Sequence, residues 1–385
     1  MSANGKTRKR PIYLDYQATT PTDPRVVSAM QPYFSTFYGN PHSPHHLFGR
    51  EAEQAVEAAR ASVAGLIGAR PAEVIFTSGA TEANNMALFG ALSALDDDRR
   101  HLVTLASEHA SVLACFEELS RRGYEVTVLP VGSDGLLDPA ALTQALKPDT
   151  ALVSVMAANN EIGVLQPLEA IGSLCATRGI LFHCDAAQAA GKIPLDVGRA
   201  SIDLLSLSGH KLYGPMGIGA LYVGRRVRMK PVIFGGGQER GLRSGTLPTP
   251  LCVGLGSACA LARAEMEEEA LRLTFLQGHF LMRLGELLGG WSVNGSLRQR
   301  LPGNLNLSFE LDDIEAAMAE LDDLALSTGS ACSSATPGPS HVLLALGLEA
   351  SQAHNSLRIG FGRFTSQDDV EQAVRRISHV VSGLR

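Results

Sequence analysis

Residues Val74-Ile75-Phe76-Thr77-Ser78-Gly79-Ala80-Thr81-Glu82, followed by Ala83 to Leu92, decide the fold class. Three apolar, β-favouring residues read as a buried strand, Ser-Gly as a tight turn, and the alanine-rich stretch behind it as helix. The pattern recurs outward. His101 to Ala106 precedes a helix-like 109–122, Val126 to Pro130 follows, and Thr150 to Met156 precedes a helix at 167–178. Ile180 to Cys184, Leu204 to Leu207 and Ala220 to Val223 complete the series. Short strands alternating with helices predict an α/β fold of right-handed βαβ units around a largely parallel sheet covered on both faces. Ligands of such sheets bind beyond the carboxyl ends of the strands. Residues just after each strand therefore carry the chemistry.

At 385 residues the chain exceeds one domain, taking about 150 residues for each. Residues 257–290 read as one long amphipathic helix. Beyond it, Asn304 to Phe309, Ile314 to Leu321 and Ala325 to Ser327 form a smaller α+β domain, closed by a helix, Ser366 to Leu384, capped by Ser366. The predicted division is an arm at 1–14 joining the small domain, a large domain at 15–260 and the small domain at 261–385. A hydrophobic content of 45% with 19% charged residues excludes disorder of the bulk. The chain has no uncharged apolar run long enough for a membrane helix. The net charge of −6 disfavours nucleic acid as a direct partner. The start, Met1 to Lys6, lacks a secretory apolar core, so the expected location is cytoplasmic. Lys6, Arg8, Lys9 and Arg10 read as a solvated basic terminus.

Five segments after strands, and two loops, stand out. Lys211 lies just past the strand 204–207, between Ser208, His210 and a Gly/Pro turn, placed for Schiff-base chemistry. Asp185 ends a buried strand, where it reads either as a helix cap or as the partner of a cation. Lys211 follows it by 26 residues, one strand–helix–strand step. A carboxylate and an amine at adjoining strand ends are the pair with which pyridoxal phosphate enzymes hold their cofactor. Ser78 to Thr81, at a helix start, suits the phosphate, with Ser208 and His210 as further donors. The segment Gly235 to Thr246 reads equally as a surface loop or as a phosphate contact. His109, after the strand 101–106, can stack on a flat ring and shuttle protons. Asn159-Asn160-Glu161-Ile162-Gly163 is a polar turn after the strand 150–156. Cys332 alone of six cysteines sits among small, turn-forming residues, Ser327 to Pro339; Cys115, Cys175, Cys184, Cys252 and Cys259 read as core. A thiol on a loop able to swing can take an atom from a substrate and deliver it. No Cys/His spacing suits a metal site.

Together these residues resemble the cysteine desulfurases of the NifS/IscS type, within the fold-type I (class V) pyridoxal phosphate transferases. The similarity runs from Tyr13-Leu-Asp-Tyr-Gln-Ala-Thr-Thr20 through Gly39 to Ser43, Thr77 to Glu82, Glu108-His109, Asn159 to Gly163, Asp185 to Gln188, Ser208 to Lys211 and Arg243 to Thr246. It continues to Gly329-Ser-Ala-Cys332 and Leu357-Arg358-Ile-Gly-Phe-Gly-Arg363.

The resemblance implies a homodimer that binds pyridoxal 5'-phosphate in the large domain and converts L-cysteine to L-alanine. Lys211 bonds the cofactor and then moves the Cα proton. Asp185 pairs with the ring nitrogen, Gln188 and Asn160 contact the ring oxygen, and His109 stacks on the ring. Ala80, Thr81, Ser208 and His210 hold the phosphate, with Thr246 supplied by the second subunit. Arg358, with Asn160, binds the substrate. Cys332 takes the sulfur as a persulfide for an acceptor protein, an iron–sulfur scaffold or a thiolation enzyme. Transient contact of Cys332 with an iron–sulfur cluster on such a partner is the one metal contact implied. A selenocysteine lyase, a class V aminotransferase and a non-catalytic sulfur-relay scaffold are the alternatives. Two departures are visible: Gly360 stands where relatives often have Ser, and the chain ends at Arg385, without the longer tail of relatives that dock a general scaffold.

Overall fold

The computed structural model describes residues 10–95, 98–328 and 338–385. The chain enters through a short strand, β1 (Ile12–Tyr13). The large sheet is then built from β2 (Val74–Thr77), β3 (His101–Leu105), β4 (Glu125–Leu129), β5 (Thr150–Ser154), β6 (Leu181–Asp185), β7 (Leu204–Ser208) and β8 (Gly219–Val223). Their spatial order is β2-β8-β7-β6-β5-β3-β4. Every strand but β8 runs the same way; β8 lies antiparallel between β2 and β7. A parallel neighbour needs a crossover of about a dozen residues or more. The link at 209–218 is shorter, so the chain turns straight back.

Alternation along the strands feeds two cores. Val74, Phe76, Val103, Leu105, Leu205 and Leu207 face one, with the helices Leu47–Leu66 and Thr249–Leu287 packed on them. Ile75, Leu102, Leu204 and Leu221 face the other, under the helix Ala110–Arg121. Burial on both faces fits a sheet sandwiched between helices.

The 39-residue helix Thr249–Leu287 starts earlier than its periodicity predicts. Gly254 and Gly256 look like helix breakers in sequence, yet here they permit close packing. A Cβ on Gly256 would stand 2.5 Å from Cα of Ala59 on the facing helix. The first half of this helix, through Cys252, Leu255 and Cys259, belongs to the large core. Leu273, Leu276, Phe280 and Leu284 in its second half belong to a third core.

That third core underlies the antiparallel strands β9 (Trp291–Val293), β10 (Asn304–Phe309), β12 (Ser327–Thr328) and β13 (Ser356–Gly360), ordered β12-β13-β10-β9. β1 pairs in parallel with β11 (Leu324–Ala325), and Leu14 is buried in the same core. The closing helix Gln367–Gly383 has Ser366 as its cap, with Asp369 reaching back reciprocally. No helix among the described residues is long and apolar enough to cross a membrane.

Candidate active site

The ends of β2, β3, β5, β6 and β7 open onto one cavity of about 530 Å³. Ala80 and Thr81, at the start of the helix after β2, line it with Ser208 and His210. His109, Asn160, Asp185, Gln188 and Lys211 line the same space. Nine residues predicted from scattered segments thus converge because each follows a strand of one sheet.

Asp185 is buried at the tip of β6. Its Oδ1 accepts the Ala187 amide at 2.9 Å and its Oδ2 accepts Asn84 Nδ2 at 2.7 Å. The residues after it form turns rather than a helix, so Asp185 caps a turn. His109 caps the helix Ala110–Arg121, its Nδ1 accepting the Ser111 amide at 3.1 Å. The neutral ring therefore carries its proton on Nε2. Burial, then the nearby Lys211, holds the His109 ring below its ordinary pKa, against the opposing pull of Asp185. One imidazole thus feels both the carboxylate and the amine.

Lys211 Nζ donates to the carbonyls of Gln17 at 2.6 Å and Ala18 at 2.8 Å. Gln188 Nε2 donates to the same Gln17 carbonyl at 2.8 Å, while its Oε1 accepts Lys192 Nζ at 3.2 Å. Burial, then the neighbouring Lys211, pushes the Lys192 ammonium down to about 7. His210 is held at about 4 by burial and by the same two lysines, so its ring is neutral at pH 7. Lys192 and Asn84 lie outside the sequence prediction. Their signals, a lysine one turn beyond Gln188 and a buried asparagine one turn into a helix, are too common to single out.

Residues 12–373 match the family described as Aminotransferase class-V. The chain belongs to the class-V aminotransferase family. A cysteine desulfurase of Rattus norvegicus is 51% identical to it over 378 residues, 98% of this chain and 84% of the rat protein. Among solved structures, a NifS-like protein superposes with a TM-score of 0.91 at 35% identity, covering 97% of this chain and 100% of that one. A protein described as SspA in complex with cysteine gives a TM-score of 0.81 at 39% identity, with coverage of 92% and 99%.

The class-V family uses pyridoxal phosphate, and the cavity fits it. Asp185 offers a buried carboxylate to a protonated ring nitrogen, and Asn160 Oδ1 is a buried oxygen without a hydrogen-bond partner among the described residues. The first-turn amides of a helix, at Ala80 and Thr81, suit an anion. Nearby, Arg243 pairs with Glu82 at 2.7 Å, cancelling a carboxylate that also lines the cavity.

Three predicted residues stand apart. Arg358 on β13 is 1% exposed and is not among the lining residues; it binds Asp15 Oδ1 at 2.7 Å and the Asn160 carbonyl at 3.1 Å. Thr246 is exposed and does not line the cavity of its own chain. Cys332 lies outside the described residues. The five described cysteines are all buried. Burial raises Cys115 to about 11 and Cys175, Cys252 and Cys259 to about 12, and holds Cys184 well above the usual thiol range. Thiols so protonated are poor nucleophiles.

Gly360 faces Gln17. A Cβ there would stand 1.9 Å from Gln17 Oε1 and 2.9 Å from the Tyr16 amide nitrogen. The glutamine side chain fills the room that a serine would take. Gly360→Ser is expected to destabilise the protein by about 1–3 kcal/mol through overpacking, and adding Gln17→Ser should recover the share due to the glutamine, leaving the close contact with the Tyr16 backbone. Thermal unfolding of the single and double variants measures the coupling; additive losses would exclude this packing account.

Proposed function

We propose that the chain is a pyridoxal phosphate-dependent cysteine desulfurase that moves the sulfur of L-cysteine onto Cys332 and releases L-alanine. The reading rests above all on one cavity that brings together Lys211, Asp185 and His109. The cofactor, when bound, supplies an electron sink for the carbanion left at Cα. Lys211 Nζ, steered by the two carbonyls, would bond the cofactor and then hold the Cα proton. Asp185 would keep a proton on the ring nitrogen. Neutral His109 would stack on the ring, its Nε2 proton available to the reacting carbon. Asn160 and Gln188 would bind the ring oxygen, and Ala80, Thr81, Ser208 and His210 the phosphate. Arg358 anchors the substrate carboxylate, which must compete with Asp15 for the guanidinium.

Cys332 Sγ, as thiolate, attacks the substrate sulfur. An S–S bond forms as the carbon–sulfur bond breaks, and the electron pair and a proton end on the carbon that becomes the alanine methyl group. Support for Cys332 comes from elimination, since the five described thiols are buried and held protonated. The domain division near residue 260, with the arm at 1–14 joining the small domain, belongs to the same proposal. So do cytoplasmic location, delivery of the sulfur to an acceptor protein, and a homodimer. A homodimer would cover some of the large apolar side chains left exposed, Phe34, Tyr38 and Phe234 among them.

Assayed with excess added thiol, which reduces the persulfide to sulfide, Cys332→Ala is expected to retain bound cofactor, seen in its visible absorbance, while cysteine-dependent sulfide release falls to background. Alanine and sulfide in equal amounts from the unaltered protein are the companion result; a keto acid product instead would make it an aminotransferase. Full sulfide release by Cys332→Ala would remove that thiol from the reaction.

A further inference from the structure

Asn84 lies one turn into the helix that opens at Ala80, fully buried and outside the residues that line the cavity. Its Nδ2 donates to Asp185 Oδ2 at 2.7 Å and to Ser111 Oγ at 3.1 Å. One NH2 group thus uses both of its protons, each on a different wall of the site. The opposite amide orientation would aim Oδ1 at the Asp185 carboxylate, two acceptors face to face, so Asp185 fixes which way the amide points. The consequence is visible in Asn84 Oδ1, which is buried without a hydrogen-bond partner among the described residues.

The orientation propagates. Ser111 Oγ accepts a hydrogen bond from Asn84, so its own hydroxyl proton is left to point at His109 Nδ1, 2.9 Å away. The Ser111 amide points there too, at 3.1 Å. Two donors then converge on Nδ1, which gains a proton only by giving up both bonds. We propose that Asn84 is a positioning residue: its amide holds the Asp185 carboxylate and, through Ser111, keeps His109 neutral with its proton on Nε2. The inference rests on the reading of this cavity as the cofactor site. It adds a physical link between the group under the ring nitrogen and the group over the ring face.

The titratable groups facing His109 are Asp185 at the end of β6, Lys211 beyond β7 and His341 on the helix His341–Ala345. The test is made on the apoprotein, so it does not depend on cofactor loading. Nitrogen-15 NMR of the His109 ring, across a pH series, reports both tautomer and titration midpoint. The expected wild-type result is the Nε2–H form with a midpoint below the ordinary histidine value. Asn84→Leu keeps the branched shape but has no protons to give, and should move the midpoint up by about half a unit or more. Ser111→Ala cuts only the second link and should move it the same way; it decides the matter should the leucine variant fail to fold. A midpoint unchanged in Ser111→Ala, or in a folded Asn84→Leu, overturns the proposal, because a space-filling asparagine would leave it where it was. Borohydride fixation of cofactor on Lys211, measured in the same variants, reports separately on the cofactor reading itself.

Discussion

Lys211→Ala is expected to lower alanine formation from cysteine by on the order of 10³-fold or more, while the protein stays folded. The lysine has two jobs that alanine cannot do: it supplies the amine that bonds the cofactor and it holds the proton leaving Cα. Its ammonium sits beyond the end of β7 on the carbonyls of Gln17 and Ala18, both within 2.8 Å. No neighbouring amine takes its place, since Lys192 is directed to Gln188 Oε1. The carbonyls left behind adjoin a cavity that water can enter, so the loss in stability should be about 1–2 kcal/mol. Borohydride treatment followed by mass analysis should place cofactor mass on Lys211 in the parent and none there in the variant. A variant that keeps its rate would take the lysine out of the chemistry.

Much of this arrangement was legible in the linear chain because each predicted residue follows an apolar run, and a mainly parallel sheet gathers such residues at one edge. Strand positions follow from that pattern to within a residue or two. The reversal of β8 does not, because a short link and a crossover look alike until the distance to be spanned is known. The helices Pro24–Met30 and Leu47–Leu66 lie before the first strand read, although the buried Ala52, Val56, Ala59 and Val63 of the second recur at helical spacing. The start of the helix at Thr249 is masked by glycines whose purpose is close packing against Ala59. In the site, residues carrying reactive groups were recognisable by type, and those that orient them were not. Asn84, Lys192 and Gln17 act through contacts between segments far apart in sequence. Gly360 shows the same limit: its meaning lies in Gln17, more than three hundred residues earlier.

The segment Gly235 to Thr246 was open to two readings, and its anchoring leads to the largest stability effect expected. Glu239 is 6% exposed, with its carboxylate bound to Arg60 Nη1 and Nη2 at 2.7 Å each and to the Phe76 amide at 2.6 Å. Arg60 also donates to the Val74 carbonyl at 3.0 Å and lies over the Phe76 ring. One buried ion pair therefore ties the glycine-rich segment to β2, the strand that leads into the Ser78–Thr81 turn. The local backbone opposes this, for Glu239 and Arg240 have φ of +46° and +60°, a left-handed pair without glycine. Glu239→Ala leaves the arginine buried without its bidentate partner and should cost about 3–5 kcal/mol. Replacing both residues, as in Arg60→Met with Glu239→Leu, should restore much of that, since a buried pair exchanged whole for apolar side chains is close to neutral. Urea unfolding of the single and double variants distinguishes these outcomes. Cofactor affinity should fall in Glu239→Ala as well, because releasing the segment frees Arg243 from Glu82 and returns an uncompensated carboxylate to the wall of the cavity. A single variant within about 1 kcal/mol of the parent would mean that the segment is held by its other contacts and that the pair contributes little.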